Sequence, residues 1–142
     1  MTLFDELGGE VILRAIIDQF VDRSFDDMLI GFFFASANRE RVKEKEYELA
    51  ASHLGADVVY TGQPIAEAHA KHRIMGGQFM RRLQILREVL AAFEVQEHIV
   101  NHWVEHTERL RPLVTKDSQG ECVQNSDTGA NRSSVDDKDP EK

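Results

Sequence analysis

Apolar residues recur at every third or fourth position through most of the first 116 residues of this 142-residue chain. One stretch carries the pattern through Leu13, Ile16, Ile17, Phe20 and Val21. This is the spacing of a helix with one buried face, and no alternating pattern typical of a half-buried strand competes with it. The sequence therefore predicts an all-α fold.

Glycine pairs divide the predicted helices. Gly8–Gly9 ends a short first helix that Thr2 caps, and Gly76–Gly77 is predicted to end a short helix over residues 65–74 that begins after Pro64. His69 lies in the middle of that segment, which is under three turns long and marginal as an isolated helix. We expect it to persist by packing or by holding a ligand. The other predicted helices span residues 10–25, 38–54, 79–93 and 95–113.

Composition changes sharply after residue 116. Residues 117–142 contain no aromatic residue, and their seven acids and three bases carry half of the formal net charge of −8. Such a segment cannot bury enough apolar surface to offset its ordering entropy. We predict a globular domain over residues 1–116 and a disordered acidic tail over residues 117–142.

Charge and hydropathy exclude several classes of partner. The body is mildly acidic and has no basic stripe, which argues against a nucleic-acid or anionic-membrane partner. The longest nearly apolar run, residues 28–35, is far too short to span a bilayer, and the first residues lack a secretory pattern. The single cysteine, Cys122, cannot form an internal disulfide. The sequence predicts a soluble cytoplasmic protein.

Several short segments, in this order and spacing, resemble a known family. They are LFDELGGE at residues 3–10, DQF at 18–20, the phenylalanine run at 32–34, LGADVVYTG at 54–62 and AEAHAKHRI at 66–74, followed by Phe79. Together they resemble a truncated haemoglobin of the first group, a short globin that packs two helices over two. The resemblance covers residues 3 to about 114, and the family pattern fits residues 21–69 without a gap.

The resemblance implies a b-type haem and assigns roles to individual residues. The family's proximal iron ligand falls on His69, and its haem-contacting phenylalanine falls on Phe34, with Phe33 beside it. The apolar walls of a porphyrin pocket are expected from residues such as Val42, Phe79 and Leu83, and Lys71 is a candidate for the charged rim. On spacing alone His69 is an ordinary packed histidine, and His72, three residues on, is the rival ligand.

The opposite, distal side departs from the family pattern. Many members carry a tyrosine and a glutamine that donate hydrogen bonds to the bound gas, whereas this chain has Val21 and Glu46. Neither valine nor an ionised carboxylate can donate. Lys45 lies where some members place a histidine or lysine that binds the iron directly; the alternative is a solvated helix face. Tyr47 is a further candidate donor.

The implied function is binding of oxygen, nitric oxide or carbon monoxide at haem iron, with an electron-donor reductase as a partner. The resemblance allows oxygen binding, nitric oxide dioxygenation, redox reaction or sensing; enzyme status is left open, and activity as an enzyme is the less favoured reading. The alternative is a haem-free globin-like interaction or sensor domain. Separately, the i, i+4 spacing of His98, His102 and His106 suggests a weak surface metal site. The alternative is that these histidines only flank the apolar stripe of the last helix.

Overall fold

The computed structural model describes residues 1–116, and this part of the chain contains helices and no strands. The helices are α1 (Leu3–Leu7), α2 (Gly9–Asp26), α3 (Arg39–His53), α4 (Ile65–His69), α5 (Gly76–Ala92), α6 (Glu97–Arg109) and α7 (Arg111–Val114), with a 3₁₀ turn at Gly31–Phe34. None of these helices combines the length and apolar composition that a bilayer crossing requires. The predicted all-α fold is confirmed, and the predicted tail lies outside the described residues.

Polar side chains begin two of the helices as predicted. The Thr2 hydroxyl accepts from the Asp5 amide at 3.1 Å while the Asp5 carboxylate accepts from the Thr2 amide, a reciprocal capping box. The Asn38 side chain accepts from the Arg41 amide at 2.9 Å and starts α3. Gly8, with φ of +126°, ends α1 in a conformation that a residue with a Cβ rarely adopts.

The core lies between two pairs of long helices. Helix α2 packs against α3 and α5, and α5 packs against α6. Their facing stripes are removed from water, as the periodicity predicts; the largest fully buried side chains are Leu13, Ile16, Ile17, Val21, Leu54, Leu83, Ile85, Leu86, Val89, Leu90 and Ile99. At about 1.5–3 kcal/mol for each large apolar side chain, this burial is the main source of stability.

The corner between α2 and α3 is fixed by one carboxylate. Asp27 accepts from the Leu29 and Ile30 amides at 3.0 and 3.2 Å and from the Arg81 guanidinium at 2.7 Å. Next to it, Gly31 approaches α2 so closely that a Cβ atom there would lie 2.5 Å from the Phe25 carbonyl oxygen. These contacts tie the 3₁₀ turn, and the phenylalanines it carries, to α2 and α5.

Two predicted helix ends were wrong. Helix α4 stops at His69 instead of continuing to residue 74, because the backbone tightens there into turns in which the Ala70 and His72 amides bond three residues back, to the Glu67 and His69 carbonyls. Gly76–Gly77 accordingly begins α5. The last predicted helix is broken at Leu110, because Pro112 has no N–H to donate to the carbonyl four residues earlier.

Candidate functional site

A cavity of about 580 Å³ opens between α3, α4 and α5. Its size is that of a pocket for a medium-sized organic ligand. The predicted wall residues Phe33, Phe34, Val42, Phe79 and Leu83 all line it. Further apolar side chains complete the wall, among them Phe20, Ile30, Leu49, Ile65, Ile74, Leu86 and Trp103. The surface is therefore largely apolar, with a few polar groups at defined places.

His69 is the last residue of α4, and its ring faces this cavity. Its Nδ1 lies 2.8 Å from the Ile65 carbonyl oxygen, one helical turn earlier. A carbonyl oxygen only accepts, so the hydrogen is on Nδ1 and the lone pair is on Nε2. Burial lowers the pKa of His69 and favours the neutral ring. A neutral imidazole oriented through Nδ1, with Nε2 left to bind, is the usual form of a metal-ligating histidine.

The short α4 helix is held from behind by the end of the described chain. Helix α7 packs against α4, and the Lys116 amide bonds to the Ile74 carbonyl at 2.9 Å. The Lys116 ammonium also lies 3.5 Å from the His69 carbonyl oxygen. A helix of five residues is unstable alone. Packing against α7 is therefore what keeps His69 in place.

The phenylalanine corner closes one side of the cavity. Phe34 stacks on Phe25 with ring centroids 4.5 Å apart, and Phe33 meets the His72 ring edge-on at 5.9 Å. Phe32 is 62% exposed and does not line the cavity. Lys71, the residue predicted for the charged rim, lines the cavity and is exposed to solvent.

The α3 wall carries the predicted Lys45 and Glu46. The Lys45 ammonium donates to the Thr61 hydroxyl at 2.6 Å, and Thr61 donates in turn to the Glu48 carboxylate at 2.8 Å from both its amide and its hydroxyl. These bonds lower the pKa of Glu48. Lys45 thus lines the cavity, but its ammonium is bonded to the loop that follows α3.

Glu46 pairs with a residue that the sequence analysis missed. Its carboxylate accepts from the Arg82 guanidinium of α5 at 2.8 Å, and both side chains line the cavity. Arg82 was overlooked because an arginine is normally assigned to solvent. The signal was its position three residues after Phe79, on the same face of α5.

Two predicted residues lie away from the cavity. Val21 is buried in the core at 1% exposure and does not line the cavity, whereas its neighbour Phe20 does. The Tyr47 ring is also in the core, with the Arg14 guanidinium 3.8 Å above it. Tyr60 does line the cavity, but its hydroxyl donates to the Gln63 carbonyl at 2.8 Å.

A pair of stacked histidines, His53 and His106, also lines the cavity. His53, at the end of α3, stacks on His106 with centroids 3.9 Å apart, and its buried Nδ1 has no hydrogen-bond partner. Burial, followed by the nearby rings of His106 and His102, lowers the pKa of His53 to about 3. His53 is therefore neutral at physiological pH.

The weak metal site suggested for α6 is not formed. His98 contacts Glu6 at 2.6 Å, and the His102 Nε2 bonds to the His53 carbonyl at 2.9 Å, so these side chains point to different partners. Within residues 1–116 no group of three histidine, cysteine or acidic side chains is arranged to hold a metal ion. The single free imidazole nitrogen of His69 against apolar walls instead fits a flat cofactor that brings its own metal.

Comparison with known proteins identifies related globins. The family model for bacterial-like globins matches residues 2–116. The Group 1 truncated hemoglobin GlbN of Mycolicibacterium paratuberculosis is 28% identical, over 85% of this chain and 87% of the relative. The Group 1 truncated hemoglobin of Tetrahymena thermophila is 24% identical, over 76% of this chain and 92% of the relative.

Solved structures show the same fold. The truncated hemoglobin from Tetrahymena pyriformis in its Fe(III) form superimposes with a TM-score of 0.75 at 21% identity, covering 81% of this chain and 98% of that chain. A 2/2 hemoglobin from Synechococcus gives a TM-score of 0.71 at 16% identity, covering 76% and 91%. These likenesses confirm the predicted two-over-two arrangement of the helices.

Proposed function

The chain belongs to the bacterial-like globin family, and we propose that it is a truncated haemoglobin that binds haem b and, at the haem iron, small diatomic ligands such as oxygen, nitric oxide and carbon monoxide. The observation that carries the proposal is His69, whose Nδ1 is fixed to the Ile65 carbonyl while its ring faces a largely apolar cavity of about 580 Å³. When bound, haem supplies an iron atom with one position for a protein ligand and one for a gas.

The residues around the cavity take separate roles in this proposal. His69 binds the iron through Nε2, and Lys71 interacts with the haem propionates at the rim. The porphyrin is enclosed by the apolar side chains that line the cavity, in particular Phe33, Phe34, Val42 and Phe79. Burial keeps the His69 ring neutral, and the Ile65 carbonyl fixes its orientation.

The test is the absorption spectrum of the purified protein and of two histidine variants. We expect the intense Soret band of haem in the wild type, retained in His72→Ala and lost or shifted in His69→Ala. His72 is the matched control because it also lines the cavity and lies one turn away. A wild-type protein that takes up no haem on reconstitution would contradict the proposal and favour a haem-free interaction or sensor domain.

We further propose Lys45 as the distal ligand of the ferric iron when no other ligand is present. Its side chain lines the cavity and is 25% exposed, so it is already partly desolvated. To reach the iron, the Lys45 side chain would have to leave the Thr61 hydroxyl and give its proton to solvent, because only a neutral amine has a lone pair that can bind a metal.

The ferric spectrum tests this role. We expect a low-spin, six-coordinate ferric spectrum in the wild type that becomes high-spin in Lys45→Ala. Lys43→Ala is the control, because that lysine lies on the same helix but bonds to Asp18 at 2.6 Å. A wild type with a high-spin aquo spectrum would exclude ligation by Lys45.

A cytoplasmic location and an electron-donor reductase belong to the same proposal. Ferric haem does not bind oxygen, so a protein of this kind needs a source of electrons to return to the ferrous state. Reduction of the ferric protein by a cell extract supplied with a nicotinamide cofactor, followed by fractionation of that activity, would identify the donor. Fractionation of the cells themselves would test the location.

A further inference from the structure

An ion pair bridges two walls of the cavity. The Arg82 guanidinium on α5 donates to the Glu46 carboxylate on α3 at 2.8 Å, and the two side chains are 32% and 27% exposed. The guanidinium also lies 4.5 Å from the centre of the Phe20 ring, which is itself part of the cavity wall. A charged group held by a carboxylate on one side and an aromatic face on the other is well oriented.

This pair acts on the same space that His69 faces. Arg82 on α5, Glu46 on α3 and His69 on α4 all line the same cavity. Arg87, on the same helix, is exposed and does not line the cavity, so it serves as the matched control.

Arg82 supplies the hydrogen-bond donor that Val21 and Glu46 cannot provide. Neither a valine nor an ionised glutamate donates a hydrogen bond, whereas a guanidinium has five N–H groups and stays charged at any physiological pH. The bond to Glu46 uses one of these N–H groups. The others remain on a cation in the wall of the cavity.

We propose that Arg82, positioned by Glu46, is the hydrogen-bond donor to the small ligand in this cavity. The ligands it favours are those that carry negative charge, such as fluoride, or that accumulate it, as dioxygen does. Carbon monoxide, which accumulates little, gains least from it. The inference rests on the proposed function, because the ligand is held in the cavity by haem.

The C–O stretching frequency of the carbon monoxide complex measures this interaction. A cation close to the ligand oxygen draws electron density into the C–O antibonding orbital and lowers the frequency. We therefore expect Arg82→Met to raise it, Arg82→Lys to restore it in part, and Arg87→Met to leave it at the wild-type value. Glu46→Ala should broaden the band, since the guanidinium then loses its anchor.

Fluoride binding to the ferric protein gives a second measurement, made in a Lys45→Ala background so that the lysine does not compete. Arg82→Met should weaken fluoride binding about tenfold, the loss expected for a hydrogen bond to a charged group, with no such loss in Arg87→Met. If Arg82 only ties α3 to α5, Arg82→Met lowers the unfolding temperature but leaves both the stretching frequency and the fluoride affinity unchanged. That result overturns the inference alone, whereas a wild type without haem overturns it together with the proposed function.

Discussion

The two walls of the cavity are held in different ways. The α4 wall depends on main-chain carbonyls: Ile65 orients the His69 ring, and Ile74 joins the wall to Lys116. The α3 wall depends on side-chain pairs: Lys45 bonds to Thr61, and Glu46 bonds to Arg82. Main-chain bonds persist through most substitutions and changes of charge, whereas side-chain pairs can be exchanged for other partners. We infer that the α4 wall provides a fixed attachment and that the α3 wall is where chemistry is adjusted.

We expect the largest effect from a change at His53, which belongs to the α3 wall but is deeply buried and has no hydrogen-bond partner for its Nδ1. Its pKa is about 3 in the folded protein and about 6.5 when exposed, so the unfolded chain binds the extra proton between these values. Its contribution to stability is complete above pH 6.5 and is lost as the pH falls toward 3. The upper limit of that loss is roughly 5 kcal/mol, since each unit of pKa difference corresponds to about 1.4 kcal/mol.

His53→Phe should remove most of this acid sensitivity, since phenylalanine can stack on His106 but cannot be protonated. The measurement is urea unfolding of the haem-free protein at pH 7 and pH 5, with His98→Phe, on the exposed surface, as the control. The pH dependence of stability that remains in His53→Phe is assigned to His69 and His106, whose pKa values are also lowered by burial. An equal pH dependence in His53→Phe and the wild type would show that His53 is not the buried titrating group.

Thr61→Val should have a smaller effect, confined to the α3 wall. The substitution removes the hydroxyl that accepts from the Lys45 ammonium at 2.6 Å and keeps the volume of the side chain. A hydrogen bond of this kind is worth about 1 kcal/mol, so the fraction of ferric protein with Lys45 on the iron should rise about fivefold relative to the unbound form.

Titration of the low-spin ferric spectrum against an added ligand measures that fraction. Ser52→Ala, which removes an exposed hydroxyl from α3, is the control. If Thr61→Val leaves the fraction unchanged, Thr61 does not compete with the iron for Lys45, and the α3 wall is less adjustable than the comparison states.

Local sequence signals predicted most of the fold, whereas His69 was singled out only through the family resemblance. Apolar periodicity predicted the long helices, and Thr2 and Asn38 predicted two of their starts, because these features depend on residues within one or two turns. The predicted end of α4 at residue 74 was wrong, and the segment that follows His69 is instead attached to Lys116, 42 positions beyond Ile74. No local pattern contains that information.

The distal side was predicted less well because its polar residues are defined by their partners. Lys45 and Glu46 line the cavity, but their partners Thr61 and Arg82 come from other elements. His53 was not singled out, since a lone histidine at the end of a charged helix resembles a surface residue until α6 is packed over it. Charged and titratable side chains in a wall are recognised only when the tertiary contacts are known.

The bond between Lys116 and Ile74 has a consequence for the timing of synthesis. Helix α4 is translated well before the residues that support it. On the ribosome, the α4 wall therefore lacks its contacts with α7 and Lys116 until residue 116 has emerged. The α3 and α5 portions of the cavity can assemble earlier from their own contacts with α2. We therefore expect the cofactor to be captured only after residue 116 has emerged, when the rest of the cavity has already formed.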